Sequence, residues 1–276
     1  MSPVYTGALS RECQNGNMLP PLRPILIGLL LIAAGSGADR DWHSLFDGKT
    51  FAGWEDPTKK TPPGDSFVIQ DGCLKAISHP RITEDLFTTE KFGDFELEFD
   101  WRVSPTGNSG VKYRIQDRVW ILNENAPGKF EDKVRAFMEH PVRERPARGQ
   151  DYVVGFEYQI TDNAANSDAI HNGPRQQTAA LYDMIAASRD VTRPVGEFNH
   201  SRLVVKGDHI EHWLNGQKVV DGSLKSPVIA AGVEKRWGSD SPVYNLLVNQ
   251  PRKECPISLQ NHGDEAWFKN IRIRRL

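Results

Sequence analysis

Residues 91–116, KFGDFELEFDWRVSPTGNSGVKYRIQ, decide the fold. From Phe95 to Val103, apolar residues alternate with three acids and an arginine, which is the period of two that is typical of a half-buried β-strand. The segment 104–110, SPTGNSG, is typical of a tight turn, and the alternation resumes over 111–116. The stretch therefore predicts two strands joined by a tight polar turn. Their charged faces are either solvated surface or the floor of a sugar-binding cleft.

The rest of the chain repeats this pattern. Asp71-Gly72 and Asn215-Gly216 are strong hairpin turns, and more than ten short strands follow one another at close spacing. Helical periodicity is scarce, and residues 237–251 look irregular. The 276 residues contain 38% hydrophobic and 25% charged residues, an ordinary globular composition. We predict an all-β fold of two packed antiparallel sheets, a jelly-roll sandwich, as one domain over residues 39–276.

The first 38 residues are predicted to be an export signal. Residues 25–34, ILIGLLLIAA, form an apolar run that is too short to span a bilayer comfortably. Arg23 precedes the run, and Ser36 and Ala38 offer small residues for cleavage, with Met18 as a plausible true start. We therefore expect a periplasmic or extracellular protein, without stable membrane insertion after cleavage. An uncleaved anchor is the alternative.

Two further features leave alternatives open. Cys73 and Cys255 remain in the mature chain, either as one disulfide or as two buried free thiols. Residues 117–151 interrupt the strand pattern as an insertion, with a short amphipathic helix predicted over 131–139. This insertion is either a lid at the edge of a cleft or a crossing loop.

Several motifs, in this order and spacing, resemble the 3-keto-disaccharide hydrolase domain family over residues 44–275. They are LFDGKT at 45–50 with Gly53-Trp54, NSGV at 108–111 with Arg114, EYQI at 157–160, ALYD at 180–183, WLNG at 213–216, and LQNHG at 259–263 with FKNI at 268–271. The resemblance implies a concanavalin A-like lectin/glucanase sandwich that acts on sugars oxidised at C3. The insertion is longer than the family pattern, and Lys269 stands where the family usually has arginine.

The implied chemistry is C2 proton abstraction, β-elimination at C1 and hydration, because a C3 ketone acidifies the C2 proton. Such a site needs a proton-transfer group and a cation or hydrogen-bond donor for the enediolate oxygen. The predicted catalytic residues are Glu157 and His262 for proton transfer and Arg114 for the oxyanion. The predicted substrate-binding residues are Asn108, Gln159, Asp162, Tyr182 and Gln260. By the strand period, Glu157 and Gln159 share one face.

Each of these residues also has a plain structural interpretation. Glu157 could be solvated surface, and His262 could serve only the turn that contains it. Arg114 could be a cross-strand partner of Glu98 or Asp100. His209 and His212 are expected on an ordinary strand surface.

Two other functions compete with the keto-sugar chemistry. Glu96, Glu98 and Asp100 recur on one strand face at about 6.5–7 Å, a spacing that an ordinary two-carboxylate glycosidase tolerates. A non-catalytic carbohydrate-binding module would keep a sugar cleft but need no base.

Cofactors and partners follow from composition and from the implied chemistry. Asp162, Asp168 and nearby carbonyls could hold a calcium ion, although solvated loop acids are the alternative. The net charge of −2 provides no basic field for nucleic acid. The expected partner is an oligosaccharide or 3-keto-glycoside, with an upstream sugar oxidoreductase as the source of the ketone.

Overall fold

The computed structural model describes residues 41–56, 66–79, 84–121 and 150–276. The export signal predicted at 1–38, residues 122–149 of the insertion and the helix predicted over 131–139 lie outside these ranges.

The described residues form two antiparallel sheets. Their strands are β1 (His43–Ser44), β2 (Trp54–Glu55), β3 (Phe67–Gln70), β4 (Cys73–Ala76), β5 (Leu86–Thr88), β6 (Phe95–Val103), β7 (Asn108–Ile121), β8 (Gln150–Thr161), β9 (Asn199–Lys206), β10 (His209–Leu214), β11 (Gln217–Ser223), β12 (Ser258–Leu259) and β13 (Ala266–Arg275). One sheet has the order β11-β10-β9-β6-β13-β4-β3, with β1 paired to β13, and the other has the order β2-β5-β12-β7-β8. The predicted two-sheet antiparallel sandwich is confirmed.

The decisive stretch does not form a hairpin, contrary to the expectation from its turn. Strand β6 pairs with β9 and β13, whereas β7 pairs with β8 and β12 in the opposite sheet. Residues 104–107 therefore turn a corner between the sheets, held by the hydrogen bond from Gly107 N to Ser104 O (2.9 Å). The apolar faces of the two strands meet across the core, so their polar faces lie on opposite outer surfaces of the sandwich.

The core fills the space between the sheets. Phe99 of β6 packs edge-on against Tyr158 of β8, with ring centroids 5.7 Å apart. Leu97 and Trp101 of β6 and Ile160 of β8 are buried in the same cluster. Each such side chain contributes about 1.5–3 kcal/mol through burial. Because the core side chains bury one face of β7 and β8, the opposite face of these strands is the one available for a site.

The described ranges also contain short helices and helical turns between the strands. They are α1 (Ser167–His171), α2 (Pro227–Trp237) and a helical turn at Pro242–Tyr244 that continues as a π-turn over Asn245–Asn249, and a 3₁₀ turn spans Pro174–Gln176. The expectation of irregular chain over 237–251 is therefore wrong for much of this stretch. None of the helices in the described ranges is long and apolar enough to cross a membrane.

Helix α2 begins and ends at recognisable signals. Pro227 occupies its first turn, and Gly238 ends it with a φ of 81°. Ile229, Val233 and Trp237 recur every four residues and are buried. This single apolar face holds the helix against the core and places its last turn beside β8, where Trp237 meets Tyr152 at 5.0 Å between ring centroids.

Cys73 and Cys255 are buried free thiols. Cys73 lies on β4 of the larger sheet, whereas Cys255 forms a bridge with Phe92 and packs beside Ile115. Of the two alternatives, the structure shows free thiols. Burial raises the pKa of both groups, which keeps them protonated and apolar.

His212 is fully buried, contrary to its expected place on a strand surface. Its Nδ1 lies 2.9 Å from Ala179 O, and because a carbonyl only accepts, Nδ1 carries the proton. Nε2 then accepts from the Tyr113 hydroxyl at 3.0 Å. Burial lowers the pKa of His212 to about 4, so the neutral ring is the folded form.

Because the ring of His212 stays neutral in the folded protein, the free energy of unfolding should decrease in acid. The unfolded chain takes up a proton near pH 6.5, while the folded chain resists it down to about pH 4. The free energy of unfolding should fall by up to about 3 kcal/mol as the pH drops through that window. Urea unfolding at pH 7.5, 5.5 and 4.5 measures the effect. His212→Gln, which can donate to Ala179 and accept from Tyr113, should flatten this dependence, and an unchanged slope in the variant would contradict the assignment.

Candidate active site

A row of directly opposed residues crosses the outer face of the five-stranded sheet. Phe87 of β5 pairs with Ser258 of β12, Ser258 pairs with Lys112 of β7, and Lys112 pairs with Glu157 of β8. Directly paired residues project from the same face of a sheet, so Lys112 and Glu157 are neighbours. The intervening residues face the core, among them Val111 and Tyr158.

The Asn-Ser-Gly motif makes room for Glu157. A Cβ at Gly110 would lie 2.7 Å from Glu157 Oε1 and 2.9 Å from its carboxyl carbon. The glutamate side chain therefore lies over the backbone of Gly110, on the strand next to its own. A glycine at this position allows the two strands to carry the carboxylate in this orientation.

Glu157 lines a pocket between β8 and the helical segment that contains α2. Its polar lining consists of Glu157, Tyr152, Tyr182 and Arg236. The remaining lining is apolar apart from Gly155, and comprises Val154, Phe156, Met184, Trp237, Val243 and Leu247. The pocket thus combines ionisable groups with an apolar interior, which is the usual composition of a small-molecule site.

The carboxyl group of Glu157 has a strongly shifted pKa. Burial raises the pKa to about 7, and Asp85 adds to the increase, while Lys112 and Arg236 oppose it. A carboxyl group that titrates near neutral pH can both take and return a proton under ordinary conditions. Such a shift inside a pocket is typical of a catalytic acid or base.

Arg236 supplies a permanent cation to the same pocket. It projects from the last turn of α2, where its guanidinium lies 5.0 Å from the Tyr182 ring centroid and 5.9 Å from that of Tyr152. Its Nη1 pairs with Asp183 at 3.1 Å. Burial works against its charge, but the surrounding Tyr152, Tyr182 and Asp183 raise its pKa overall.

Tyr182 is tied directly to Glu157 through the backbone. Its N–H donates to Glu157 O at 3.0 Å, beside the isolated bridge between Leu181 and Tyr158. Burial raises the pKa of the Tyr182 hydroxyl to about 12, so it stays protonated at neutral pH. Of the predicted substrate-binding residues, Tyr182 lines the pocket that contains Glu157.

The structure places Arg114 away from this pocket. A bulge in β7 gives Arg114 a φ of 51°, and its side chain donates to Lys253 O, to Gly207 O (2.8 Å) and to Asp94 (3.2 Å). It lines a separate pocket with Gly207 and Lys253. The expectation that Arg114 stands beside Glu157 as the oxyanion cation does not match this geometry. The alternative pairing with Glu98 or Asp100 is not observed either.

Asn108 and Gln159 lie further along the same strands. Gln159 Nε2 is 3.4 Å from Asn108 Oδ1 and 3.4 Å from Gln176 O. Both residues are buried, and Gln159 shares the face of Glu157 as predicted from the strand period. They form a polar group next to the pocket rather than part of its lining.

Asp162 is used by the loop that follows β8. Its two carboxylate oxygens accept backbone N–H bonds from Thr106 (2.9 Å), Ala164 (3.1 Å) and Ala165 (3.2 Å). These bonds account for a buried carboxylate without a calcium ion. Among the described residues, the one group of three His, Cys, Asp or Glu ligand atoms close enough to share a metal is His209, Glu211 and Asp221, of which Glu211 is half-buried and the other two are exposed.

Gln260 and His262 follow β12. Gln260 N donates to Gly110 O at 2.9 Å, and the buried Oε1 of Gln260 has no hydrogen-bond partner among the residues that the structure describes. Gln260 is two residues from Ser258 and therefore continues the face that carries Lys112. His262 is half-buried in the turn before β13, and it is not among the described residues that line the Glu157 pocket.

The carboxylates of β6 lie on the other sheet, where they are paired. Glu96 bonds Arg202 at 2.8 Å, Glu98 bonds Arg272 at 2.8 Å, and Asp100 bonds His200 at 2.8 Å. Because β6 and β8 belong to opposite sheets, these acids cannot form a two-carboxylate site with Glu157. On the polar face of β6, Glu96 is buried and Glu98 and Asp100 are half-buried, so these carboxylates are held in ion pairs on the larger sheet.

Comparison with known proteins assigns the chain to a family. Residues 41–274 match the 3-keto-alpha-glucoside-1,2-lyase-like domain family. This chain belongs to that family. The match to the 3-keto-alpha-glucoside-1,2-lyase-like family runs from the residues before β1 to Arg274 in β13, so it includes both sheets and the pocket.

Known relatives agree with this assignment. A 3-keto-disaccharide hydrolase of Bacteroides thetaiotaomicron is 31% identical over 245 residues, which cover 84% of this chain and 78% of the relative. A crystal structure at 1.70 Å of a candidate glycosyl hydrolase from Parabacteroides distasonis ATCC 8503 has a TM-score of 0.63 at 23% identity, covering 86% of this chain and 94% of that one. A second, at 2.00 Å, has a TM-score of 0.55 at 24% identity, covering 85% and 99%. The crystal structures show the shared fold, and the predicted glycosidase-like enzyme of this family is confirmed by the family match and the relative.

Proposed function

We propose that this chain cleaves 3-keto-disaccharides or other 3-keto-glycosides by elimination across C1–C2 followed by hydration. The observation that carries the proposal is the position of Glu157 in one pocket with the cation Arg236, where burial raises the pKa of the Glu157 carboxyl group to about 7. A two-carboxylate glycosidase needs a second carboxyl group across the scissile bond, and the described lining of this pocket contains one carboxylate.

The first step is removal of the C2 proton. The C3 ketone acidifies this proton, and Glu157 as carboxylate accepts it while the electron pair moves to the ketone oxygen. Arg236 provides the positive charge for the enediolate that forms, as oxyanion donors do in other enzymes. Below pH 7 the protonated Glu157 cannot act as a base, so kcat/KM should fall about tenfold for each pH unit.

The second step is departure of the group at C1. The enediolate collapses, the C1–O bond breaks, and the leaving oxygen takes a proton. Either the newly protonated Glu157 or the neutral Tyr182 hydroxyl can donate it, and both line the pocket. Water then adds its hydroxyl to C1 and a proton to C2, so the net change is hydrolysis.

We also propose that the chain acts outside the cytoplasm and downstream of a sugar oxidoreductase. The apolar run at 25–34 with its small-residue flank supports export. A ketone at C3 of a glycoside arises by oxidation of the C3 hydroxyl, so an enzyme that consumes it depends on an oxidoreductase that forms it.

The proposed function is tested with paired substrates. The protein is incubated with 3-keto-trehalose and with trehalose, and released 3-keto-glucose or glucose is followed by NMR. We expect cleavage of the keto sugar and none of its parent. Equal cleavage of both sugars would contradict the elimination chemistry, and binding without turnover would indicate a carbohydrate-binding module.

Gly110→Ala is predicted to damage catalysis more than folding. The added methyl group would displace the carboxyl group of Glu157, which lies 2.7–2.9 Å from that position. A displacement of a catalytic group by about 1 Å costs about 10²-fold in kcat. Gly93→Ala is a matched control, because its Cβ would meet Glu254 at an ordinary 3.5 Å. Steady-state kinetics and thermal melting of both variants measure the effect, and equal kcat in the two would contradict it.

A further inference from the structure

A buried ion pair lies behind the catalytic glutamate. Lys112 Nζ is 3.1 Å from Asp85 Oδ2, and the two side chains are 7% and 5% exposed. Ser258 Oγ donates to the same Asp85 oxygen at 3.1 Å. Removing two charges from water is costly, so a buried pair of this kind is weak evidence for a role in stability alone.

The position of the pair relates it to Glu157. Lys112 is directly opposite Glu157 in the register of β7 and β8, and Asp85 reaches Lys112 from the chain before β5, across β12. Lys112 therefore stands between two carboxyl groups of different strands. Asp85 is fixed by Ser258 and by the ammonium group, whereas Glu157 opens to the pocket.

We propose that Lys112 and Asp85 are positioning residues that set the ionisation of Glu157. Lys112 favours the carboxylate of Glu157, and Asp85 restrains that effect by sharing the positive charge. The inference rests on the proposed function in one respect, namely that Glu157 is the group whose proton transfer matters. The Lys112–Asp85 pair also explains why the carboxyl group of Glu157 loses its proton near neutral pH, and so becomes a base, instead of staying protonated.

Three other titratable groups line the described part of the pocket with Glu157, but none of them favours its carboxylate as strongly as Lys112 does. Arg236 reaches Glu157 from α2, Tyr182 from the segment after the 3₁₀ turn, and Tyr152 from β8 itself. Of the groups that favour the carboxylate of Glu157, Lys112 acts more strongly than Arg236. Burial lowers the pKa of Lys112, but Asp85 and Glu157 raise it overall, so Lys112 is a stable cation.

Two single substitutions test the proposal because they should act in opposite directions. Lys112→Gln removes the cation and should raise the pKa of Glu157 by about 1–3 units. Asp85→Asn removes a like charge and frees Lys112 to act on Glu157, so the pKa should fall. The titration is read by carboxyl-carbon NMR of protein labelled at glutamate, with the Glu157 signal identified as the one missing from Glu157→Gln.

Matched variants make the result specific. Arg202→Gln breaks an ion pair with the buried Glu96 on the other sheet and should leave the Glu157 titration unmoved. Because loss of one partner of a buried pair destabilises the fold, the double variant K112Q/D85N keeps the test available by leaving neither charge unpaired. Its Glu157 should titrate between the two single variants.

The NMR titration needs no substrate, so a failure of the proposed function would leave it readable. The acid limb of kcat/KM is the second readout and should move in the same directions as the NMR midpoint, and Lys112→Arg, which keeps the charge, should restore it. Single variants that leave the midpoint in place, or that move it in the same direction, would overturn the proposal.

Discussion

Glu157→Gln is expected to lower kcat for a 3-keto-glycoside by a factor of about 10²–10⁴, with little change in KM. Glutamine keeps the shape of the side chain and its place over Gly110, but it cannot accept the C2 proton. The loss should therefore fall on the chemical step rather than on binding. Steady-state kinetics on 3-keto-trehalose at pH 8 measure it, where the carboxylate of the native enzyme is ionised.

Glu98→Gln is the matched control for this substitution. Glu98 is also a strand glutamate, but it pairs with Arg272 on the outer face of the larger sheet. Exposed ion pairs of this kind contribute about 1 kcal/mol or less, so the variant should retain full activity. If Glu157→Gln kept more than a tenth of the native kcat, or if Glu98→Gln lost as much, Glu157 would not be the base.

Arg236→Gln should lower kcat by about 10²–10³, the usual cost of removing one oxyanion donor. The reason is that Arg236 is a permanent cation in the described lining of the Glu157 pocket. Arg236→Lys retains a charge at the same site and should recover part of the activity. The measurement is kcat on the keto sugar, with melting temperature as a check on folding.

Arg114→Gln tests which arginine stabilises the oxyanion. The sequence suggests Arg114, whereas the structure places Arg236 in the described lining of the Glu157 pocket. Arg114 holds two backbone carbonyls and Asp94, so its loss should destabilise the fold by on the order of 2–3 kcal/mol while kcat of the folded protein stays near native. The opposite outcome, a stable Arg114 variant without activity beside a fully active Arg236 variant, would return the oxyanion role to Arg114.

The two arginines illustrate what the sequence can and cannot predict. The alternation in residues 111–116 correctly places Lys112 on the polar face of its strand. It also suggests Arg114 for that face, but a bulge between Tyr113 and Asp117 changes the register and turns Arg114 toward Gly207. A bulge depends on the neighbouring strand, so the local pattern does not reveal it.

Arg236 could not be found from the strand pattern at all. It belongs to a helix whose apolar face is carried by three residues, and its place beside β8 depends on packing between segments about eighty residues apart. The available signals were Pro227 in the first turn and the four-residue spacing of Ile229, Val233 and Trp237. They predict the helix but not the strand that it covers.

The fold was more accessible than the site because it depends on repeated signals. The Asp71-Gly72 and Asn215-Gly216 turns do join the hairpins β3–β4 and β10–β11. The pairing of β6 with β7, by contrast, was predicted wrongly. An alternating strand buries its apolar face equally well whether the next strand lies beside it in the same sheet or faces it from the opposite sheet, so the pattern does not distinguish the two arrangements. That difference decides the chemistry, since it separates Glu96, Glu98 and Asp100 from the pocket.

Proton exchange at C2 is the sharpest measurement for the proposed elimination. The enzyme is run on 3-keto-trehalose in heavy water, and the 3-keto-glucose is reduced at once with borohydride and examined by NMR, beside an enzyme-free control. Elimination and hydration should leave one deuterium at C2 of each product molecule formed from the cleaved ring. Product that retains its original C2 proton at full turnover would contradict the mechanism and the role given to Glu157.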